Sequence, residues 1–401
     1  MSKTNFRLSR RRAMQGLAAV PLAIPVLAMP AIAQQKPIRL GWIAAVSGMF
    51  SSNALAQDWG FHTAVQDIND AGGIDGRKIE IVMRDSAADP AKAVSFAKEL
   101  IFNQDIDGLC GPINSGEVLP TLGVVASARR IQMLGGSVDE LIDPVKYPLA
   151  FRNLNTNTQY ITTATNFLVD GLKRNKVAII DDATGYGVIA MQALTKLLAT
   201  RGLKPAYSVT VDPNKTDLTD EIVQARNAGA DSIQTWTNAT GFMARVLNAR
   251  GEQQWDVPIA GNPSMFQGQV GALLSKPSYW DNAFAAGYAN GVVDANGNLP
   301  PATQEFLDKH KAGVAPYIAT GIFSFLQGHA AATIYTTGVR QAGTTDSFKV
   351  KAALESIPVI QTPYGPFSYS PTDHNGFADS GMVMVIANSQ QPNGGLKAAK
   401  V

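Results

Sequence analysis

The residues best suited to chemistry in this chain stand in one short loop. In Gly111-Pro112-Ile113-Asn114-Ser115-Gly116-Glu117 a hydroxyl and successive backbone amides lead into a helical run over residues 118–130. Such donors at the positive end of a helix stabilise an anion, so Ser115 with the amides of Gly116 and Glu117 suits a carboxylate. Plain N-capping of the helix by the same serine is the other reading, and the two roles are compatible. Further on, Leu134-Gly135-Gly136-Ser137 sets two glycines, which permit close backbone approach, before another hydroxyl that serves a ligand or a turn.

Covalent and metal chemistry find little support. Cys110 is the single cysteine, read as a buried structural thiol, and the histidines at 62, 310, 329 and 374 show no metal-ligand spacing. There is no Gly-x-Ser-x-Gly elbow and no phosphate-loop lysine motif. His62 and the pair Asp181-Asp182 are the nominees for an exported hydrolase, but the pair reads better as a strand end. The expectation is a binding protein, not an enzyme, with no cofactor and no metal.

The elements that must position these loops alternate. Strand-length apolar runs over 37–46, 78–83 and 106–110 are separated by helical spacing over 54–70 and 90–102. A second unit starts after Phe151-Arg152-Asn153-Leu154, with helices over 159–172, 189–200, 217–228 and 240–250 and strands over 176–181, 206–211, 232–236 and 257–260. Strand-helix alternation with short links predicts mostly parallel sheets covered on both faces, here as a pair of similar α/β lobes. Residues 320–340 and 348–356 read as helices, 365–369 and 382–387 as strands, and from 390 the composition predicts fraying.

The first 33 residues differ in kind. Lys3, Arg7, Arg10, Arg11 and Arg12 precede the apolar run 17–29 and the small-residue pattern Ala31-Ile32-Ala33, the order of an export signal cut near Ala33. Residues 9–15 resemble a twin-arginine signal, with Ala13 where an aromatic residue is usual; a general secretory signal is the competing reading. Of 34 basic and 32 acidic residues, removing these five basic ones leaves a mature part of net charge −3. With no basic cluster remaining, nucleic acid is a poor partner, and a soluble periplasmic monomer is expected.

An ordered series of segments carries a specific resemblance. Asp67-Ile68-Asn69-Asp70-Ala71-Gly72-Gly73-Ile74-Asp75-Gly76-Arg77, residues 85–93, the 111–116 loop, Phe151-Arg152, residues 182–187 and Asn227-Ala228-Gly229-Ala230-Asp231 together resemble the periplasmic binding proteins of branched-chain amino acid, amide and aromatic acid ABC transporters. The resemblance covers residues 38–387. It implies a type I periplasmic binding protein of two doubly wound parallel-sheet lobes joined by a three-segment hinge: 36–153 with 288–361, and 154–287 with 362–389, followed by a flexible tail over 390–401. The second and third crossovers are placed near Gly287 and Thr362.

The resemblance also implies site residues and partners. It places a carboxylate-binding serine at Ser115, a ligand-contacting stretch at Gly136 and Ser137, and cleft contacts from the second lobe at Tyr186, Trp236 and Asn238. Trp236 either stacks on a ring or closes the core. Phe50 or Trp59 supplies an aromatic wall or packs in the core. Amino acid binders commonly carry an acid where this chain has Asn262, and an unpaired buried ammonium is expensive. The favoured cargo is therefore an aromatic or aliphatic carboxylic, keto or hydroxy acid, with a branched-chain amino acid or amide as the alternative. The implied partners are a small carboxylate ligand and an ABC permease with its ATPase, a sensory output being the rival use of the same cleft.

Overall fold

Apolar runs too continuous for a half-exposed strand become the centres of two sheets. The computed structural model describes residues 36–48 and 50–401, together with Met1. The export-signal reading of residues 1–33 rests on residues outside those described. The first sheet holds β1 (Ile38–Ala44), β2 (Ile79–Asp85), β3 (Gly108–Cys110), β4 (Ile131–Leu134) and β5 (Ala150–Arg152) in the order β2-β1-β3-β4-β5, parallel throughout. All but one residue of β1 is buried, because α1 (Ser51–Asp70), α2 (Pro90–Lys98) and α3 (Ser115–Ser127) cover the sheet.

The chain then opens α4 (Asn157–Thr165) with a capping box, the Thr156 hydroxyl accepting from the Gln159 amide while the Gln159 side chain accepts from the Thr156 amide. The second sheet follows as β6 (Val177–Asp182), β7 (Tyr207–Val211), β8 (Ser232–Thr235), β9 (Ile259–Gly261) and β10 (Ala283–Tyr288). These are parallel in the order β10-β9-β8-β6-β7, and α5 (Gly185–Thr200), α6 (Thr219–Asn227), α7 (Thr240–Glu252) and the short α8 (Gly268–Ala272) connect them. The sequence pattern did not foresee β10, whose Ala-Phe-Ala-Ala-Gly-Tyr has little apolar bulk, or the short β4 and β5.

Beyond β10 the chain forms α9 (Pro301–Lys309), α10 (Lys311–Val314), α11 (Ile322–Ala342) and α12 (Ser347–Ser356). Helix α11 lies along α1 of the first lobe at a distance only glycine allows: a Cβ on Gly328 would sit 1.9 Å from the Gln57 carbonyl oxygen, and one on Gly60 1.9 Å from that of Phe325. The hairpin β11 (Ile360–Thr362) and β12 (Gly365–Phe367) comes next, and β13 (Met382–Ile386) finally pairs antiparallel with β10. Two doubly wound lobes with a hinge between them are therefore the fold.

Two boundaries differ from the expectation. The segment after Thr362 stays against the first sheet: the Arg152 amide donates to the His374 carbonyl, His374 stacks on Phe151 at 3.9 Å, and the Tyr369 hydroxyl donates to the Arg152 carbonyl at 2.7 Å. The third passage between lobes thus runs through about 363–381, not at Thr362 alone. The last residues, expected to fray, are tied down. Leu396 and Ala399 donate backbone hydrogen bonds to Gly291 and Met384, Ile386 donates to Lys397, and the Leu396 side chain is buried, because this segment covers the outer edge of β13.

Candidate functional site

The loops at the carboxyl ends of both sheets meet in one cleft, the place where open parallel sheets bind ligands. From the first lobe it is lined by Phe50, Asn53, Gln57, Ile113, Asn114, Ser115, Gly135, Gly136 and Ser137, with Phe323 and Gln327 of α11. Leu154, Tyr160, Tyr186, Asn238, Asn262, Pro263 and Ser264 complete it. About 580 Å³ of atom-free space lies within, part of it open to solvent. None of the lining side chains carries a formal charge. At the mouth the lobes meet, since a Cβ on Gly185 would lie 3.9 Å from the Gly116 Cα.

The helix end at the cleft is built differently from the sequence expectation. Asn114, not Ser115, is the N-cap of α3, its Oδ1 accepting from the Glu117 amide at 3.2 Å. Ser115 is the first helical residue, and its Oγ accepts from the Val138 amide at 3.2 Å, which leaves the hydroxyl proton for another acceptor. The amides of Ser115 and Gly116 have no intrahelical acceptor at these first positions.

Glu117, expected to offer its amide to the ligand, does not line the cleft. Its amide is taken by the Asn114 cap, and its carboxyl is buried beside Ser86, with one oxygen bonded by the Asn114 side-chain amide and the other unpartnered. Burial, reinforced by the nearby Asp85 and Asp89, pushes that carboxyl up to about 7. Gly116 lies at the mouth and not along the wall.

The Gly135-Gly136-Ser137 loop is held by a residue not singled out for the site. Arg152 is fully buried, donating to the carbonyls of Gly136 and Val138, the latter at 2.7 Å, and to Asn375 Oδ1 at 3.0 Å. Burial lowers its guanidinium to about 10, still charged at neutral pH. A Cβ on Gly136 would sit 3.0 Å from both the Ser115 Cα and Oγ and 2.4 Å from the Leu141 side chain, so any larger residue there presses on Ser115.

On the opposite wall Tyr186 is buried beneath the α5 start, and burial pushes its phenol well above the ordinary range. Its hydroxyl accepts from Asn262 Nδ2 at 3.3 Å, which also reaches Asn238 Oδ1 at 3.3 Å, while Asn262 Oδ1 caps the turn Pro263–Phe266. Trp236 is a correction: its ring is fully buried outside the cleft lining, and its backbone amide donates to Asp181 at 2.8 Å. Of the two aromatic candidates Phe50 faces the cleft, whereas Trp59 packs among Phe306, Tyr317 and Phe325.

Asn53, Gln57, Tyr160, Phe323 and Gln327 also line the cleft and went unforeseen, because each reads as an ordinary residue of a helix face. Asp181 and Asp182 are fully buried, accepting from the Trp236 and Thr184 amides and from the Thr184 and Thr237 hydroxyls. Among the described residues no cluster of His, Cys, Asp and Glu is arranged to hold a metal ion, and no helix is long and apolar enough to cross a membrane.

A family model described as periplasmic binding protein matches residues 37–391. The chain belongs to that family. It is accordingly a small-molecule solute-binding protein, a carrier and not a catalyst. Among relatives of this periplasmic binding protein, a Leu/Ile/Val-binding protein homolog of Brucella melitensis is 25% identical over 338 residues, covering 84% of this chain and 88% of the relative. A branched-chain amino acid transporter substrate binding protein of Streptococcus pneumoniae, solved with isoleucine, superposes with a TM-score of 0.75 at 20% identity, over 91% of this chain and 99% of that one. An ABC transporter solute binding protein of R. palustris, solved with 4-hydroxybenzoate, gives 0.76 at 18% identity, over 91% and 96%.

Proposed function

We propose that this chain captures a small amino-acid-type solute, a branched-chain amino acid or its amide, outside the cytoplasmic membrane and delivers it to an ABC permease and its ATPase. One observation carries the reading: the first-lobe wall offers opposite hydrogen-bonding needs side by side. The hydroxyls of Ser115 and Ser137, with the Ser115 and Gly116 amides near the cleft mouth, are donors for a carboxylate or carboxamide oxygen. Asn53 Oδ1, in contrast, is a buried acceptor without a partner, suited to an N–H of the solute. Phe50, Ile113, Leu154 and Phe323 leave apolar wall for a branched chain. Tyr186, Asn238 and Asn262 close on the solute from the second lobe, and the faces of Tyr160 and Tyr186 attract an ammonium. The names of the relatives point the same way. Solute touching both walls favours the shut cleft, so binding energy shifts the open-to-closed equilibrium.

A second reading, an acid without an amino group, is favoured by the uncharged lining, since an ammonium in this cleft has no carboxylate partner. The 4-hydroxybenzoate complex of the R. palustris protein adds support. Isothermal titration with leucine, isoleucine, leucinamide, 4-hydroxybenzoate and 4-methyl-2-oxopentanoate separates the two. Heat from leucine, isoleucine or leucinamide alone is the expected result. Heat from the two acids alone replaces it with the second reading, and silence from all five, with no solute carried through native mass spectrometry, overturns both.

A further inference from the structure

We infer that Asn155, Tyr288 and Tyr364 form a hydrogen-bonded hub tying together the three stretches that pass between the lobes, and that Tyr160 and Gln327 connect this hub to the cleft, making all five positioning residues for solute capture. The inference rests on the solute-carrier reading above and deepens it.

Each hub residue comes from a different passage. Asn155 lies between β5 and α4, Tyr288 ends β10, and Tyr364 sits in the β11–β12 turn that leads toward β13. Asn155 Oδ1 accepts from the Tyr288 hydroxyl at 3.0 Å and from the Tyr364 hydroxyl at 3.3 Å. Asn155 is fully buried, Tyr364 is 1% exposed and Tyr288 4%, so a hydroxyl that loses its partner here has no water to replace it.

The direction of the bonds follows from what each group can do. An amide oxygen only accepts, so both tyrosines spend their single protons on Asn155. The Tyr160 hydroxyl, bonded to that of Tyr288, must then be the donor of that pair. On the other branch Gln327 Nε2 donates to the Tyr364 hydroxyl at 3.4 Å, and Gln57 Nε2 donates to Gln327 Oε1 at 2.9 Å. Asn153, in the first passage, also donates to the Gln327 carbonyl, at 3.1 Å. Both branches therefore run inward, and their cleft ends present oxygen lone pairs on Tyr160 and Gln57, two residues that line the cleft. A solute N–H completes either branch, so the hub senses a donor-bearing solute at the same moment that it fixes the relative setting of the three passages. All of these bonds are made together in this structure, in which Gly116 and Gly185 approach one another.

The test uses Tyr288→Phe/Tyr364→Phe, which keeps both rings and removes only the hydroxyls. Spin labels on Lys92→Cys in α2 and Lys196→Cys in α5 report the interlobe distance; Cys110 is fully buried, its thiol pushed far up, and does not compete. In solute-free protein the double variant is expected to shift the distance distribution toward open, by roughly threefold to tenfold in the open-to-closed ratio, and to weaken the narrowing caused by whichever of leucine or 4-hydroxybenzoate the parent binds. A distribution unchanged from the parent, in a variant that melts like the parent, overturns the hub. If the double variant does not fold, the single variants are read in the same way. Because the deciding measurement needs no solute, a parent that binds neither probe bears only on the choice of solute, and the open-to-closed ratio of the solute-free variant still decides the hub.

Discussion

Ser115 serves two partners, and the two can be separated. Replacing it by alanine leaves the buried Val138 amide without its acceptor, which is expected to cost about 1–3 kcal/mol of stability in urea denaturation. If its hydroxyl also meets a charged solute head, titration should show a further affinity loss of roughly 1.5–3 kcal/mol. A stability loss with unchanged affinity would make it a prop of the 135–138 loop alone. Glu117 gives the second residue-scale prediction. Its carboxyl is held near 7 in the fold against an ordinary value of 4.5, so the fold favours its protonated form. That preference is fully present below about pH 4.5 and is lost as pH rises through 7, a change of at most roughly 3 kcal/mol. Glu117→Gln, neutral at every pH, should therefore show less loss of stability between pH 5 and pH 8 than the parent. Equal slopes for parent and variant in urea denaturation would remove Glu117 as the cause.

At the scale of elements, the close approach of α1 and α11 sets the floor of the cleft, since Gln57 and Gln327 meet where Gly60 and Gly328 let the backbones touch. Gly328→Ala places a methyl group inside van der Waals contact with the rigid Gln57 backbone, and must push the helices apart. A loss of about 1–3 kcal/mol in thermal unfolding is expected, with weakened solute binding because Gln327 moves with the helix. The same elements show what the sequence could and could not reveal. The sheets and most of their helices were legible because strand-length apolar runs and 3.6-residue spacing are local signals. The loop over 111–117 was legible as a strand-end turn leading into a helix, because its glycines and serine are local signals, and Ile113, Asn114 and Ser115 of it line the cleft. Asn53, Gln57, Tyr160 and Gln327 were not, since polar residues on a helix face look solvent-facing until the packing of another helix or lobe encloses them. Arg152 was seen only as part of a family pattern; its grip on the Gly136 and Val138 carbonyls needs β5 and the loop after β4 brought side by side. Trp236 failed in the opposite sense, because a strand-end tryptophan carries no mark of which side of the sheet its ring will take.

The whole molecule joins two lobes that do not unfold as strangers. One continuous cluster of buried apolar side chains runs from Ile38 and Trp42 in the first sheet through Leu154, Tyr288, Phe323 and Tyr364 to Val385 in the second. The passages between lobes thus lie within the core instead of crossing solvent as linkers. Separating the lobes would expose this apolar seam and strand the buried hydroxyls of Tyr160, Tyr288 and Tyr364. Calorimetry of the protein is therefore expected to give a single transition, with the calorimetric enthalpy equal to the van't Hoff enthalpy. A solute bridging both walls stabilises the joined form alone, and at one hundred times its Kd should raise stability by about 2.7 kcal/mol, moving the whole peak upward. Two resolved peaks, of which solute moves only one, would mean that the seam is too weak to couple the lobes and that the solute is held by one wall.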